Sequence, residues 1–128
     1  MKPTITFDFD WTLTKANVCE DGLWWSSSVP DESMVRHLRN MSKSFDIKIV
    51  TSRHTSKLPA VLQFVETHNL PVSDVIATDG EDKALTLKEL KSVIHFDDDE
   101  VEIEEIIKHH PDCSPILVTP KTNEQRTI

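Results

Sequence analysis

The sequence predicts an α/β fold: a single Rossmann-like, three-layer domain on a mostly parallel five-stranded sheet, spanning residues 1–128. Three observations point there. Short runs rich in β-branched residues alternate along the chain with segments of helical periodicity, the pattern of a parallel sheet with helical crossovers. Chemically active residues recur just after the strand-like runs, where open parallel sheets bind ligands. No linker, repeat or low-complexity stretch divides the chain, and 128 residues with 38% hydrophobic content suit one core.

The elements follow in order. Pro3 to Phe7 reads as the first strand. Residues 15–30 read as an irregular flap region, with a possible hairpin in "NVC-EDG-LWW" turning at Asp21-Gly22. Pro30-Asp31 opens a helix that Asp31 can cap, with Met34, Val35, Leu38 and Met41 on one face. "DIKIV" (Asp46 to Val50) is the second strand. Leu58, Val61, Leu62 and Val65 mark a second helix, ending near His68-Asn69 before Pro71. "VSDVIA" (Val72 to Ala77) is the third strand, residues 82–90 a short helix, and "SVIHF" (Ser92 to Phe96) the fourth strand. Ile103, Ile106 and Ile107 mark a helix stopped by Pro111. "PILVT" (Pro115 to Thr119) is the fifth strand, and residues 120–128 form a polar tail.

The net charge is −8 and no Lys/Arg run occurs, which argues against stable, sequence-independent nucleic-acid binding. No stretch approaches the ~18 apolar residues of a membrane span. The N-terminus lacks a signal-peptide pattern. Cys19 and Cys113 then read as reduced thiols of a cytoplasmic protein. Either a monomer or a dimer suits the sequence.

The strand ends carry the chemistry. Asp8, Asp10 and Thr12 follow the first strand. Thr51, Ser52 and Arg53 follow the second, and Asp97, Asp98 and Asp99 the fourth. Lys83 opens the helix between the third and fourth. Burying two carboxylates two residues apart is costly unless a cation compensates. A carboxylate nucleophile, a second carboxylate as proton donor, a hydroxyl, a lysine and a shared divalent cation match phosphoryl transfer from a monoester. Magnesium, a hard cation that prefers oxygen ligands, is the expected cofactor.

At these residues the sequence resembles the haloacid dehalogenase superfamily of phosphohydrolases. The first motif of that family, Asp-x-Asp-x-Thr/Val-Leu, is matched by "DFDWTL" (Asp8 to Leu13). The second is matched by "IKIVTS" (Ile47 to Ser52), the third by Lys83, and the fourth by "IHFDDD" (Ile94 to Asp99). The ordered set covers nearly the whole chain. The resemblance implies Asp8 as nucleophile and Asp10 as general acid/base whose backbone carbonyl also meets magnesium. It implies Thr51 as the phosphate-binding hydroxyl, Lys83 as the cation joining nucleophile and phosphate, and Asp98 as metal ligand with Asp97 supporting it. Lys88 and Lys91 lie near enough to compete for the third motif, and Asp97 and Asp98 can exchange roles by one step. Many members carry Gly after the second aspartate, where this chain has Trp11. Both usual positions for a cap domain are too short here to hold one.

Ser52 and Arg53 are candidate substrate contacts, with the equal alternative that Arg53 is an ordinary exposed loop arginine. Trp24 and Trp25 sit in the flap region, where an aromatic face can stack on a base. The expected substrate is therefore a phosphorylated small molecule or a nucleic-acid end, with nucleotide or polynucleotide-terminal phosphates in view. Packing of both tryptophans is the equal alternative. Two other function classes stay open. A phospho-accepting receiver domain needs its aspartate after a mid-chain strand, where the nearest candidate is Asp79. A non-catalytic phosphate- or magnesium-binding module needs the pocket alone.

Overall fold

The computed structural model describes residues 2–20 and 23–119, with the side chains of residues 16–27 outside that description. Seven strands and four helices follow in order: β1 (Thr4–Phe7), β2 (Thr14–Glu20), β3 (Leu23–Pro30), α1 (Glu32–Met41), β4 (Asp46–Thr51), α2 (Leu58–Thr67), β5 (Asp74–Ala77), α3 (Lys83–Leu90), β6 (Ser92–Asp97), α4 (Glu100–His109) and β7 (Ser114–Leu117). A 3-10 turn, Thr55–Lys57, precedes α2.

Five strands form one sheet in the order β5-β4-β1-β6-β7, with every pairing parallel. The chain steps outward from β1 through β4 to β5, then returns to the other side of β1 as β6. The order reverses at β1, so the carboxyl ends of β1 and β6 flank the crevice where such sheets bind ligands.

Strand periodicity sorts the residues between two faces. Ile5, Phe7, Ile47, Ile49 and Phe96 pack with Val35 and Leu38 of α1 and Val61 and Phe64 of α2. Phe7 stacks on Phe96 at 4.6 Å between ring centroids. On the opposite face Val50 packs with Ala84 and Leu87 of α3, Ile106 of α4 and Cys113. Helices thus cover both faces, and each buried aliphatic or aromatic side chain contributes about 1.5–3 kcal/mol.

The flap region is more regular than expected. β2 and β3 form an antiparallel two-stranded sheet from Thr14 paired with Pro30 to Glu20 paired with Leu23. The turn at Asp21-Gly22, the tail 120–128 and the side chains of Trp24, Trp25 and Cys19 lie outside the described residues. Pro30 closes β3 rather than opening a helix; Asp31 caps α1, accepting from the backbone N–H groups of Ser33 and Met34. β3 touches α2, which seats the hairpin beside the domain. Among the described residues no cap domain interrupts the core: the hairpin separates β1 from α1, and the 3-10 turn, α2 and β5 lie between β4 and α3.

Of the apolar residues in α2 and α4, Leu62 is 49% exposed and Ile107 59% exposed, while Val61, Phe64 and Ile106 are buried. Short helices with more apolar residues than one face can bury leave the choice to the sheet they meet. No helix among the described residues is long and apolar enough to cross a membrane.

Candidate active site

β1 delivers Asp8 on the face opposite Phe7, in line with Thr6. A tight turn follows. The Phe9 carbonyl accepts from the N–H groups of Thr12, Leu13 and Thr14, and the Trp11 N–H donates to Thr14 Oγ1 at 3.0 Å. Phe9, Thr12 and Leu13 are fully buried, so the turn is anchored from below. Thr12 Oγ1 donates to Asp8 Oδ2 at 3.2 Å. Trp11 has φ +63°, the left-handed region that costs a large L-residue about 1–2 kcal/mol.

β6 runs beside β1 with Thr6 opposite His95 and Phe7 opposite Phe96, so Asp97 ends its strand next to Asp8. α3 begins at Lys83, whose ammonium lies between them: Nζ donates to Asp8 Oδ1 at 2.8 Å and to Asp97 Oδ2 at 2.7 Å. All three side chains are buried. Burial pulls the lysine down, but the two carboxylates outweigh it and hold it above its ordinary range. Burial also raises Asp97, yet the hydrogen bond from His95 and the charge of Lys83 bring it to about 2. Asp8 goes the other way: burial, with Asp97 adding to it, lifts it well above the usual carboxylate range despite Lys83. A cation beside Asp8 would relieve that cost.

Behind these residues runs a buried polar chain. His95 Nε2 lies 2.8 Å from Asp97 Oδ2, and its Nδ1 lies 2.7 Å from Thr6 Oγ1, which in turn meets Ser92 Oγ at 2.8 Å. Burial lowers His95 and keeps the ring neutral. The neutral ring then donates from Nε2 to Asp97 and accepts at Nδ1 from Thr6.

Asp10 is held by Arg53. The guanidinium donates from Nε to Oδ2 at 2.9 Å and from Nη2 to Oδ1 at 2.7 Å, and lies 5.0 Å from the Phe9 ring centroid. The loop carrying Arg53 is tied to the loop before α3, because the N–H groups of Thr78, Asp79 and Gly80 donate to the carbonyls of Thr51, Arg53 and Ser52. Asp79 caps the 3-10 turn by accepting from Thr55 N at 2.7 Å. Glu102 of α4 accepts from the Lys83 N–H at 3.0 Å, satisfying the start of α3 where Asp82 makes no side-chain cap.

Asp8, Asp10, Ser52, Lys83, Asp97 and Asp98 thus line one open cavity of about 470 Å³, together with Trp11 and the acidic residues that begin α4. Thr51 is fully buried and not among the lining residues, and its Oγ1 accepts from the Arg53 N–H; Ser52 is among the lining residues. Lys88 is exposed, which leaves Lys83 as the lysine of the cluster. Asp8, Asp97 and Asp98 each offer an oxygen within 4.8 Å of the others, a hard-oxygen donor set that fits a divalent cation such as magnesium. Sequence reasoning missed Trp11 as a lining residue and Glu102 as the cap of α3. The visible signals were a bulky residue at a turn position and an acid near the start of α4.

No family model matches the chain, and no curated protein does. Solved structures do. The chain is similar to a chain in the structure of the Pnkp1/Rnl/Hen1 RNA repair complex, at 13% identity and TM-score 0.67, covering 91% of this chain and 42% of that one. A second structure of the Pnkp1/Rnl/Hen1 complex matches at 13% and 0.67, over 91% and 46%. The N-terminal part of BF1531 from Bacteroides fragilis, containing a phosphatase domain complexed with Mg, matches at 12% and 0.64, over 97% and 38%. The chain spans less than half the length of each. At these identities the likeness establishes the fold alone, a three-layer α/β unit.

Proposed function

We propose that the protein is a magnesium-dependent phosphomonoester hydrolase that works through an aspartyl-phosphate. The observation that carries this reading is the buried Asp8–Lys83–Asp97 cluster, with Asp98 beside it, at the edge where the strand order reverses. The fold shared with a magnesium-bound phosphatase domain supports it.

In this mechanism Asp8 attacks phosphorus. Thr12 and Lys83 each take one of its oxygens at rest and so orient the carboxylate. The bond from phosphorus to the leaving oxygen breaks, and that oxygen takes a proton from Asp10. Asp10 then takes a proton from the water that hydrolyses the aspartyl-phosphate, releasing inorganic phosphate and restoring Asp8. Asp8 and Asp98 would hold magnesium with the Asp10 backbone carbonyl, and the ion supplies charge neutralisation at the transferring phosphoryl group. Lys83 adds a fixed positive charge. Nucleotide or polynucleotide-terminal phosphates are the substrates we favour. A monomer or dimer in the cytoplasm, without stable nucleic-acid binding, fits the acidic composition.

The test is phosphate release from an aryl phosphate with and without magnesium. Sustained, magnesium-dependent turnover that Asp8→Asn abolishes supports the hydrolase. A stable phosphoprotein without turnover points to a receiver, and the absence of both points to a binding module.

A further inference from the structure

Four non-glycine residues among those described have positive φ: Trp11, Asn69, Asp79 and Lys91. Three have ordinary explanations. Asn69 follows α2, Lys91 is the C-cap of α3, and Asp79 precedes Gly80 in a turn. Asn and Asp also tolerate the left-handed region better than most residues. Trp11 also lies in a turn, but neither Asn nor Asp nor a glycine neighbour eases it there. It is the bulkiest of the four, in the conformation that glycine serves best, directly after Asp10. Strain retained beside reacting groups is a reason to look for a role.

The cavity supplies one. Ten residues line it, and the nine others are acids, one serine and one lysine. Lys83 is already placed between Asp8 and Asp97. A leaving group entering this cavity meets acidic walls, which repel a polyanion and give an aromatic ring little to rest on. Trp11 is the one apolar surface among the described lining residues. The turn keeps it there: Phe9 and Leu13 point into the core, Thr12 Oγ1 donates to Asp8, and Thr14 Oγ1 fixes the Trp11 N–H.

We propose that Trp11 determines specificity, its indole stacking on the aromatic part of the leaving group, so that the site selects monophosphate esters carrying a base or aryl ring over equally charged sugar phosphates. The proposal rests on the phosphatase reading for the identity of the leaving group, and its test does not depend on turnover.

A nucleoside 5′-monophosphate and ribose 5-phosphate share phosphate and sugar and differ by the base. Calorimetric titration in the Asp8→Asn background, with magnesium present, compares them for the chain carrying Trp11, Trp11→Gly or Trp11→Phe; kcat/KM compares them in chains that keep Asp8. Base stacking on an aromatic side chain corresponds to a preference on the order of tenfold for the base-bearing ligand. Trp11→Gly, which suits the backbone angle, should erase most of that preference, and Trp11→Phe should keep most of it. The proposal is overturned if the two ligands bind equally or not at all with Trp11 present. It is also overturned if Trp11→Gly leaves the preference intact, or if Trp11→Phe loses it as fully as Trp11→Gly. A Trp11-dependent binding preference without any phosphate release would sink the phosphatase reading and leave this one standing.

Discussion

Arg53 grips both carboxylate oxygens of Asp10, through Nε at 2.9 Å and Nη2 at 2.7 Å. A two-pronged ion pair of this kind fixes a carboxylate better than a lysine could, since the guanidinium fork matches its geometry. The Arg53 side chain is 4% exposed and rests near the Phe9 ring, so the fork is itself held. Each oxygen keeps a second lone pair, so Asp10 can carry a proton to the leaving oxygen while Arg53 holds its orientation. Arg53 therefore holds Asp10 in place at rest.

The first prediction follows from that pair. Asp10→Asn should slow alkyl phosphates more than aryl phosphates, because a general acid matters most for poor leaving groups. Arg53→Gln should show the same leaving-group pattern, with a loss of about tenfold or more in kcat, as for a residue that acts through the acid. The double variant should be little worse than Asp10→Asn alone, since residues acting as one unit are non-additive. Independent, multiplying losses in the steady-state rates would separate Arg53 from Asp10.

A second prediction concerns the neighbouring acids of β6. Both oxygens of Asp97 already have protein partners: Oδ2 takes Lys83 and His95, and Oδ1 accepts from the Asp99 N–H at 3.1 Å. Asp98 is half-buried at the cavity wall. Asp98→Asn should weaken magnesium binding, read by calorimetry, while leaving the melting temperature of the metal-free protein nearly unchanged. Asp97→Asn should lower that melting temperature, because it strips charge from a buried cluster; breaking such a pair costs about 3–5 kcal/mol. The opposite pattern would make Asp97 the metal ligand and Asp98 the support.

The residues that carry the site were readable because chemistry and topology agree at the strand ends. Asp8, Asp97 and Lys83 stand where a parallel sheet gathers ligands, and period-two patterning puts Asp8 and Asp97 on one face. Thr51 and Ser52 show the limit. Adjacent residues leave a strand in opposite directions; Thr51 is fully buried while Ser52 is among the residues that line the cavity. His95 was harder, because its meaning lies in Thr6, 89 positions away, brought opposite by strand register. The length of the β2–β3 hairpin was hidden by its serines and by Pro30, which sits at the strand terminus where its missing N–H is tolerated. Leu62 and Ile107 mark their helices in the sequence, but the sheet has room for only one face of each helix and both stay exposed.

The last prediction is a pH dependence set by His95. The ring is completely buried, and burial lowers its pKa from 6.5 although Asp97 pulls the other way. The unfolded chain takes up a proton on this residue near pH 6.5, and the folded chain does so only at lower pH. Between those two values the unfolded state binds more protons, so stability rises with pH. The contribution of His95 is therefore fully present above pH 6.5 and is lost as pH falls through the folded value. One such proton gives a slope of at most about 1.4 kcal/mol per pH unit. Chemical denaturation of the metal-free protein between pH 7.5 and about 5 measures it, a window chosen around the histidine range. His95→Gln keeps an N–H that can reach Asp97 but cannot titrate, so its stability should fall less steeply over that window. If the two proteins lose stability in parallel, the neutral ring bridging Thr6 and Asp97 is not the source of the slope, and the assigned direction of the Nε2–H bond falls with it.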